Sequence, residues 1–182
     1  MVDPLLAQGM VQYVLWGVLH FHRQFDVALG NQRHRLWSRP VQSAAKDCRI
    51  GILGLGELGS AVAQALIALG YSVAGWSRTG REMAGVRAFR GEQGLPAMLS
   101  QTDVLICLLP LTPATRGLLD QRLFEALPRG AALIQCGRGE QLVEQDLCDA
   151  VVSGRLRGAL LDVFEREPCL RITRCGRLPA CW

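Results

Sequence analysis

The sequence predicts a doubly wound α/β domain: a parallel β-sheet with helices on both faces, led in by an N-terminal helix. Three observations predict it. Beginning at Cys48, short apolar runs alternate with helix-like segments as far as Val163. The runs carry little polar alternation, as strands do when both faces are covered. A glycine-rich turn, Gly54–Gly59, joins the first run to the first helical segment. The length of 182 residues, with 49% hydrophobic and 20% charged, fits one domain with an appended element and excludes a disordered chain.

Residues 10–29 place Val11, Val14, Leu15, Val18, Leu19, Phe25 and Leu29 at helical spacing. Tyr13, Trp16 and His20 line another side of the same helix, so it is expected to be buried on two sides or to pack against a partner. A homodimer through residues 10–29 is the expectation, with Val14 and Val18 as the positions where a charge disturbs it. Residues 30–48 read as a polar connector. The strand candidates are Arg49–Leu53, Ser72–Trp76, Val104–Leu109, Ala131–Cys136 and Ala159–Val163, with a weaker one at Val86–Phe89. Helix candidates between them are Leu58–Leu69, Leu95–Ser100, Gln121–Leu127 and Val143–Ser153.

Several classes fall away. The apolar stretch Met10–Leu19 is broken by Gln12 and is shorter than the ~20 residues a membrane span needs. The opening Met-Val-Asp-Pro lacks the basic start of a signal peptide, so a cytoplasmic protein is expected. Seven cysteines include no Cys-x-x-Cys pair and no matching histidine spacing, so no metal is expected. Cys107 and Cys136 lie in apolar runs and read as buried small hydrophobes. The net charge is +4, with one lysine and scattered arginines rather than a basic stripe, so no nucleic-acid partner is expected.

The glycines of Gly54-Leu55-Gly56-Glu57-Leu58-Gly59 have separate tasks. Gly54 permits the tight turn, Gly56 lets a pyrophosphate approach the backbone, and Gly59 lets the helix pack close to the strand. Free N–H groups and the positive dipole end of the helix then face the phosphates. At the end of the second strand, ~20 residues on, an NAD site usually carries an acid for the ribose 2′-hydroxyl. Here Ser77, Arg78, Thr79 and Arg81 stand in that region. Guanidinium and hydroxyl groups attract a 2′-phosphate, so NADPH is favoured over NADH.

Four motifs follow one another in order: Gly54–Gly59, Leu108–Thr115, Cys136-Gly137-Arg138-Gly139 and Leu161–Pro168. Together they resemble the cofactor-binding (Rossmann) domain of the D-isomer-specific 2-hydroxyacid dehydrogenases. Trp76–Thr79 and Leu19-His20-Phe21 are most similar to the glyoxylate/hydroxypyruvate reductase A branch, which prefers NADPH. The resemblance covers about residues 9–168. It implies that Arg138 holds the carboxylate and carbonyl of a small 2-keto acid, and that Glu167 pairs with a catalytic histidine. It implies that Asp162 meets the nicotinamide carboxamide, with Glu57, Leu58, Leu109, Pro110 and Thr115 joining the glycines as cofactor contacts. It also implies that the helix at residues 10–29 packs in a dimer interface.

The departures from the family pattern carry equal weight. The family's histidine follows the glutamate by some tens of residues, whereas His20, His22 and His34 all precede the glycine loop. The tail 169–182 is rich in Cys and Arg and does not match, and the family's substrate domain is expected to be largely absent. The expected division is therefore 1–47 for the interface helix and connector, 48–168 for the dinucleotide-binding domain and 169–182 for the divergent tail. Two functions share these features: NADPH-dependent reduction of a 2-keto acid of the glyoxylate or hydroxypyruvate type, or a catalytically inactive dinucleotide-binding module.

Overall fold

The computed structural model describes residues 3–78, 80 and 82–166. Its strands are β1 (Arg49–Leu53), β2 (Ser72–Ser77), β3 (Val86–Arg90), β4 (Val104–Cys107), β5 (Ala131–Gln135) and β6 (Leu156–Leu161). They form one sheet in the order β3-β2-β1-β4-β5-β6, and every neighbouring pair is parallel. The order reverses direction between β1 and β4, which opens a crevice beyond the C-terminal ends of those strands. The helices are α1 (Pro4–His22), α2 (Phe25–Arg33), α3 (Glu57–Ala68), α4 (Gly91–Leu99), α5 (Gln121–Ala126) and α6 (Glu144–Val152).

Side chains alternate across the sheet and divide the core in two. Ile50, Ile52, Val104, Ile106, Ala132, Ile134 and Leu160 point to the face covered by α1 and α3, where Val14, Val18, Val62 and Leu66 meet them. Leu53, Leu105, Cys107, Leu133, Ala159 and Leu161 point to the face covered by α4, α5 and α6, against Met98, Phe124 and Leu147. Each Val, Leu or Ile among them contributes about 1.5–3 kcal/mol by leaving water. The double covering explains the near-continuous apolar runs of the sequence.

Helix α1 runs antiparallel to β5 and β6. Tyr13 lies near Cys136 and Asp162 at the strand ends, Gly17 rests on Ile134 and Leu160, and the Phe21 carbonyl accepts from Arg157 Nη1 at 3.1 Å. A Cβ at position 17 would stand 2.7 Å from Leu160 Cδ2, so a larger residue there requires the ends of the Leu160 and Ile134 side chains to shift.

Three sequence expectations are corrected. Residues 10–29 are not one helix: the chain breaks at Arg23 and Gln24, where Gln24 takes φ +56°, and α2 continues into the supposed connector. Arg157 holds the break from both sides, with Phe21 O on one and a bidentate pair to Asp26 at 2.7 and 2.8 Å on the other. Val14 and Val18 are fully buried in the domain's own core, so they do not form an outer face. Within residues 10–29 the exposed large apolar side chains are instead Trp16 and Leu19 on α1, with Phe25, Val27 and Leu29 on α2. Finally, β6 starts at Leu156, before the expected Ala159, because Arg157 and Gly158 interrupt the apolar run without ending the strand. No helix among the described residues is long and apolar enough to cross a membrane.

At the opposite edge from the crevice, Arg49 makes three hydrogen bonds to Asp103: from N and Nε to Oδ2 at 2.9 Å each, and from Nη2 to Oδ1 at 2.6 Å. Burial alone raises the Asp103 pKa, but the Arg49 hydrogen bonds and charge outweigh it and hold the carboxyl below its ordinary value. A depressed carboxylate contributes stability that is present above the unfolded pKa, about 3.9, and lost as pH falls through the folded value. Asp103→Asn is therefore expected to cost about 0.5–1 kcal/mol at neutral pH, the range for a partly exposed pair, and close to nothing in strong acid. Urea unfolding at about pH 7 and about pH 3 checks this; equal losses at both would contradict it.

Candidate functional site

The turn from β1 to α3 is built on missing side chains. Gly54 sits at φ +98°, and a Cβ there would lie 3.0 Å from the Leu108 carbonyl oxygen. A Cβ on Gly59 would overlap the Gly54 carbonyl, so α3 packs against β1 only with glycine at that position. Gly56, the N-cap of α3, makes no side-chain cap and has open space where its Cβ would be. The first-turn N–H groups of α3 therefore face a place that an anion can enter, and the helix dipole favours one there.

That place is a cavity of about 510 Å³ walled by residues 56–59, 108–111 and 136–138. Of the residues singled out in the sequence, Gly56, Glu57, Leu58, Gly59, Leu109, Pro110 and Arg138 line it. Gly54 lies beneath, its N–H donating to Trp76 O at 2.9 Å, which sets Ser77 and exposed Arg78 beside the glycine turn. Ser77 Oγ accepts from Gly80 N at 3.0 Å and so closes the turn after β2. Thr115 is spent on its own loop, accepting from Thr112 N and donating to Pro110 O, both at 2.8 Å. Asp162 is exposed at the end of β6, anchored through its N–H to Gln135 O at 2.9 Å. Thr79, Arg81 and Glu167 lie outside the described residues.

Arg138 is exposed, and its guanidinium donates from Nη1 to the Gly137 carbonyl at 2.7 Å. Its backbone is fixed on both sides: N donates to Gln141 Oε1 at 2.8 Å, and O accepts from Gln135 Nε2 at 2.9 Å. Gly139 lies under the backbone of Phe164 and Glu165, which a Cβ there would overlap. The chain leading toward Glu167 thus crosses the arginine loop directly.

The sequence reading missed the two glutamines, although both are 0% exposed. The available signal was a polar residue, Gln135, at the end of the apolar run Ala131–Cys136. Tyr13, placed by the sequence on a second stripe of the helix, has its phenol pushed well above its ordinary pKa by burial, then by Cys136 and Asp162 nearby. The three histidines of the chain are far from Arg138 in the fold. His20 is buried between Trp16 and Phe21, with its pKa lowered by burial, near the Asp26–Arg157 pair. His22 Nδ1 meets the Tyr71 hydroxyl at 2.9 Å, at the N-terminal edge of the sheet. His34 caps the end of α2.

Comparison with known proteins agrees with this geometry. Residues 15–180 match the family model of the D-isomer specific 2-hydroxyacid dehydrogenase NAD binding domain. A D-isomer specific 2-hydroxyacid dehydrogenase family protein from Klebsiella pneumoniae 342 is 49% identical with TM-score 0.97, covering 99% of this chain and 58% of its own. An NADPH-dependent glyoxylate/hydroxypyruvate reductase from Sinorhizobium meliloti, solved with NADP and sulfate, is 38% identical with TM-score 0.95, covering 100% and 59%. A D-isomer specific 2-hydroxyacid dehydrogenase from Xanthobacter autotrophicus Py2, solved with NADPH and MES, is 38% identical with TM-score 0.95, covering 98% and 74%. The chain spans just under three fifths of the length of the first two of these structures. With a six-stranded parallel sheet, the glycine turn at its switch point and this match along most of its length, the chain belongs to the D-isomer specific 2-hydroxyacid dehydrogenases, as their NAD-binding domain.

Proposed function

We propose that the chain binds NADPH and forms the cofactor half of a reductase for small 2-keto acids of the glyoxylate or hydroxypyruvate type. The observation that carries this reading is a single cavity with an open glycine at the start of α3 on one wall and Arg138 on the other. Gly56 and the first turn of α3 take the pyrophosphate, with Gly54 and Gly59 shaping the turn and Glu57 and Leu58 supplying backbone. Ser77 and Arg78, with Thr79 and Arg81, take the 2′-phosphate. Leu109 and Pro110, held by Thr115, wall the ribose and nicotinamide side, and Asp162 takes the carboxamide. NADPH, when bound, supplies the hydride.

Arg138 performs the chain's own part of the chemistry. Its planar guanidinium fork matches an α-keto acid and stabilises the charge that grows on the carbonyl oxygen. Glu167 is assigned the partner of a histidine that donates the proton. None of this chain's three histidines is in position for that, so the 182 residues by themselves are read as cofactor-binding but short of a proton donor. Self-association is assigned to Trp16, Leu19, Phe25, Val27 and Leu29, the large apolar side chains left exposed within residues 10–29. The working location of the protein is proposed to be the cytoplasm.

Three outcomes follow from these assignments. NADPH should bind at least tenfold more tightly than NADH, since charge-assisted bonds to a phosphate are worth roughly 1.5–3 kcal/mol each. Arg78→Ala should erase much of that preference in a fluorescence titration; equal affinities in the wild type would defeat it. Oxidation of NADPH by saturating glyoxylate should stay far below about 1 s⁻¹ with the isolated chain, since a positioned general acid is worth ~10²–10⁴-fold. Ordinary turnover that disappears in Arg138→Ala would mean that another group supplies the proton. Sedimentation at micromolar concentration should show a dimer that Trp16→Glu with Leu19→Glu converts to monomer while the far-UV circular dichroism keeps its native form. A monomeric wild type would rule out the interface.

A further inference from the structure

Gln141 is fully buried, yet it spends every polar atom of its side chain on the walls of the cavity. Its Oε1 accepts from Arg138 N at 2.8 Å, from Gln135 Nε2 at 3.4 Å and from the Cys107 thiol at 3.9 Å. Its Nε2 donates to Leu109 O at 3.1 Å and Pro110 O at 3.2 Å. One carboxamide therefore joins the arginine loop to the 108–110 loop, which lies about thirty residues earlier in the chain. A second observation agrees: a Cβ on Gly137 would overlap Gln141 Oε1 and stand 3.0 Å from Leu109 O, so the loop leaves a side chain out to admit this amide. Burial pushes the Cys107 thiol up to about 12, which keeps it protonated and able to donate.

We propose that Gln141 is a positioning residue that locks the two walls of the cavity to each other, so that the nicotinamide-side wall and the backbone of Arg138 hold one fixed separation. The proposal rests on the reading that this cavity takes a dinucleotide and a 2-keto acid. The physical reason is the cost of the alternative. The Gln141 carboxamide is itself fully buried and draws its partners from both loops, the Leu109 and Pro110 carbonyls on one side and the Arg138 N–H on the other, and a buried amide left without partners is strongly disfavoured. The loops therefore keep their places as long as the amide is there. Without it, nothing of comparable strength ties the 108–110 loop to the backbone of Arg138.

The test uses Gln141→Met, which keeps the volume and removes the hydrogen bonds, beside Leu147→Ala, a core change on the α6 side. Hydrogen exchange, followed by mass spectrometry with no ligand, reads the two loops separately. Gln141→Met should speed exchange in both 108–111 and 136–140 and leave β4 and β5 protected. Leu147→Ala should lower the melting temperature without loosening this pair of loops selectively. NADPH affinity should fall about tenfold in Gln141→Met, equivalent to about 1.4 kcal/mol, and hold in Leu147→Ala. If Gln141→Met does not fold, Gln141→Asn replaces it with the same expectation, because its amide is one methylene too short to reach both loops. Faster exchange confined to 136–140, or in neither loop, would overturn the proposal, as would unchanged NADPH affinity in a variant whose loops loosen. A wild type that does not bind NADPH at all would overturn the functional reading instead, and the exchange result would still decide whether Gln141 ties the loops.

Discussion

Everything at the mouth of this sheet depends on the contact between residue 59 and the Gly54 carbonyl. Helix α3 lies so near β1 that there is no room for even one carbon between them. That closeness sets the height and tilt of the helix and brings its first turn to the crevice between β1 and β4. A methyl group would force the helix outward, and the N–H groups would no longer face the arginine loop. The parallel sheet supplies the crevice by its strand order, but the glycine contact decides what faces into it.

The α3 side of the cavity and the pair of loops across from it are held by different physics. On the α3 side the backbone is shaped by sterics, through glycines that allow a turn and a close approach. On the far side it is shaped by polar satisfaction, through Gln135 and Gln141 with no solvent exposure. Steric control of this kind survives changes in solvent and pH. A buried amide network is unforgiving in another way, since a half-satisfied network is worse than an apolar core.

What could be read from the sequence follows from how local each cause is. The strands were legible because burial on both faces leaves apolar runs, and the glycine turn because its three glycines fall within six residues. The break after α1 was not legible. Gln24 is an unusual residue for a left-handed φ, and the grip on the break comes from Arg157, more than a hundred residues away. The same distance problem hid the facing of Val14 and Val18: helical spacing gives the stripes but not which stripe meets the sheet. Gln141 was hidden for a third reason. Its role depends on loop 108–110 arriving beside it in space, and a single glutamine two residues after a glycine carries no periodic signal. Thr115 was singled out by its motif, and its hydroxyl is bonded within its own loop, to Thr112 N and Pro110 O.

The bare crossing at Gly139 has a mechanical consequence. Where two stretches of chain meet through side chains, rotamers can take up small misfits, and the gap between them is adjustable. Here residues 164 and 165 rest on the backbone of Gly139 with nothing in between. The separation between position 138 and the strand exit after β6 is therefore set by the thickness of two peptide planes. These two segments meet backbone to backbone, so a shift of one displaces the other directly.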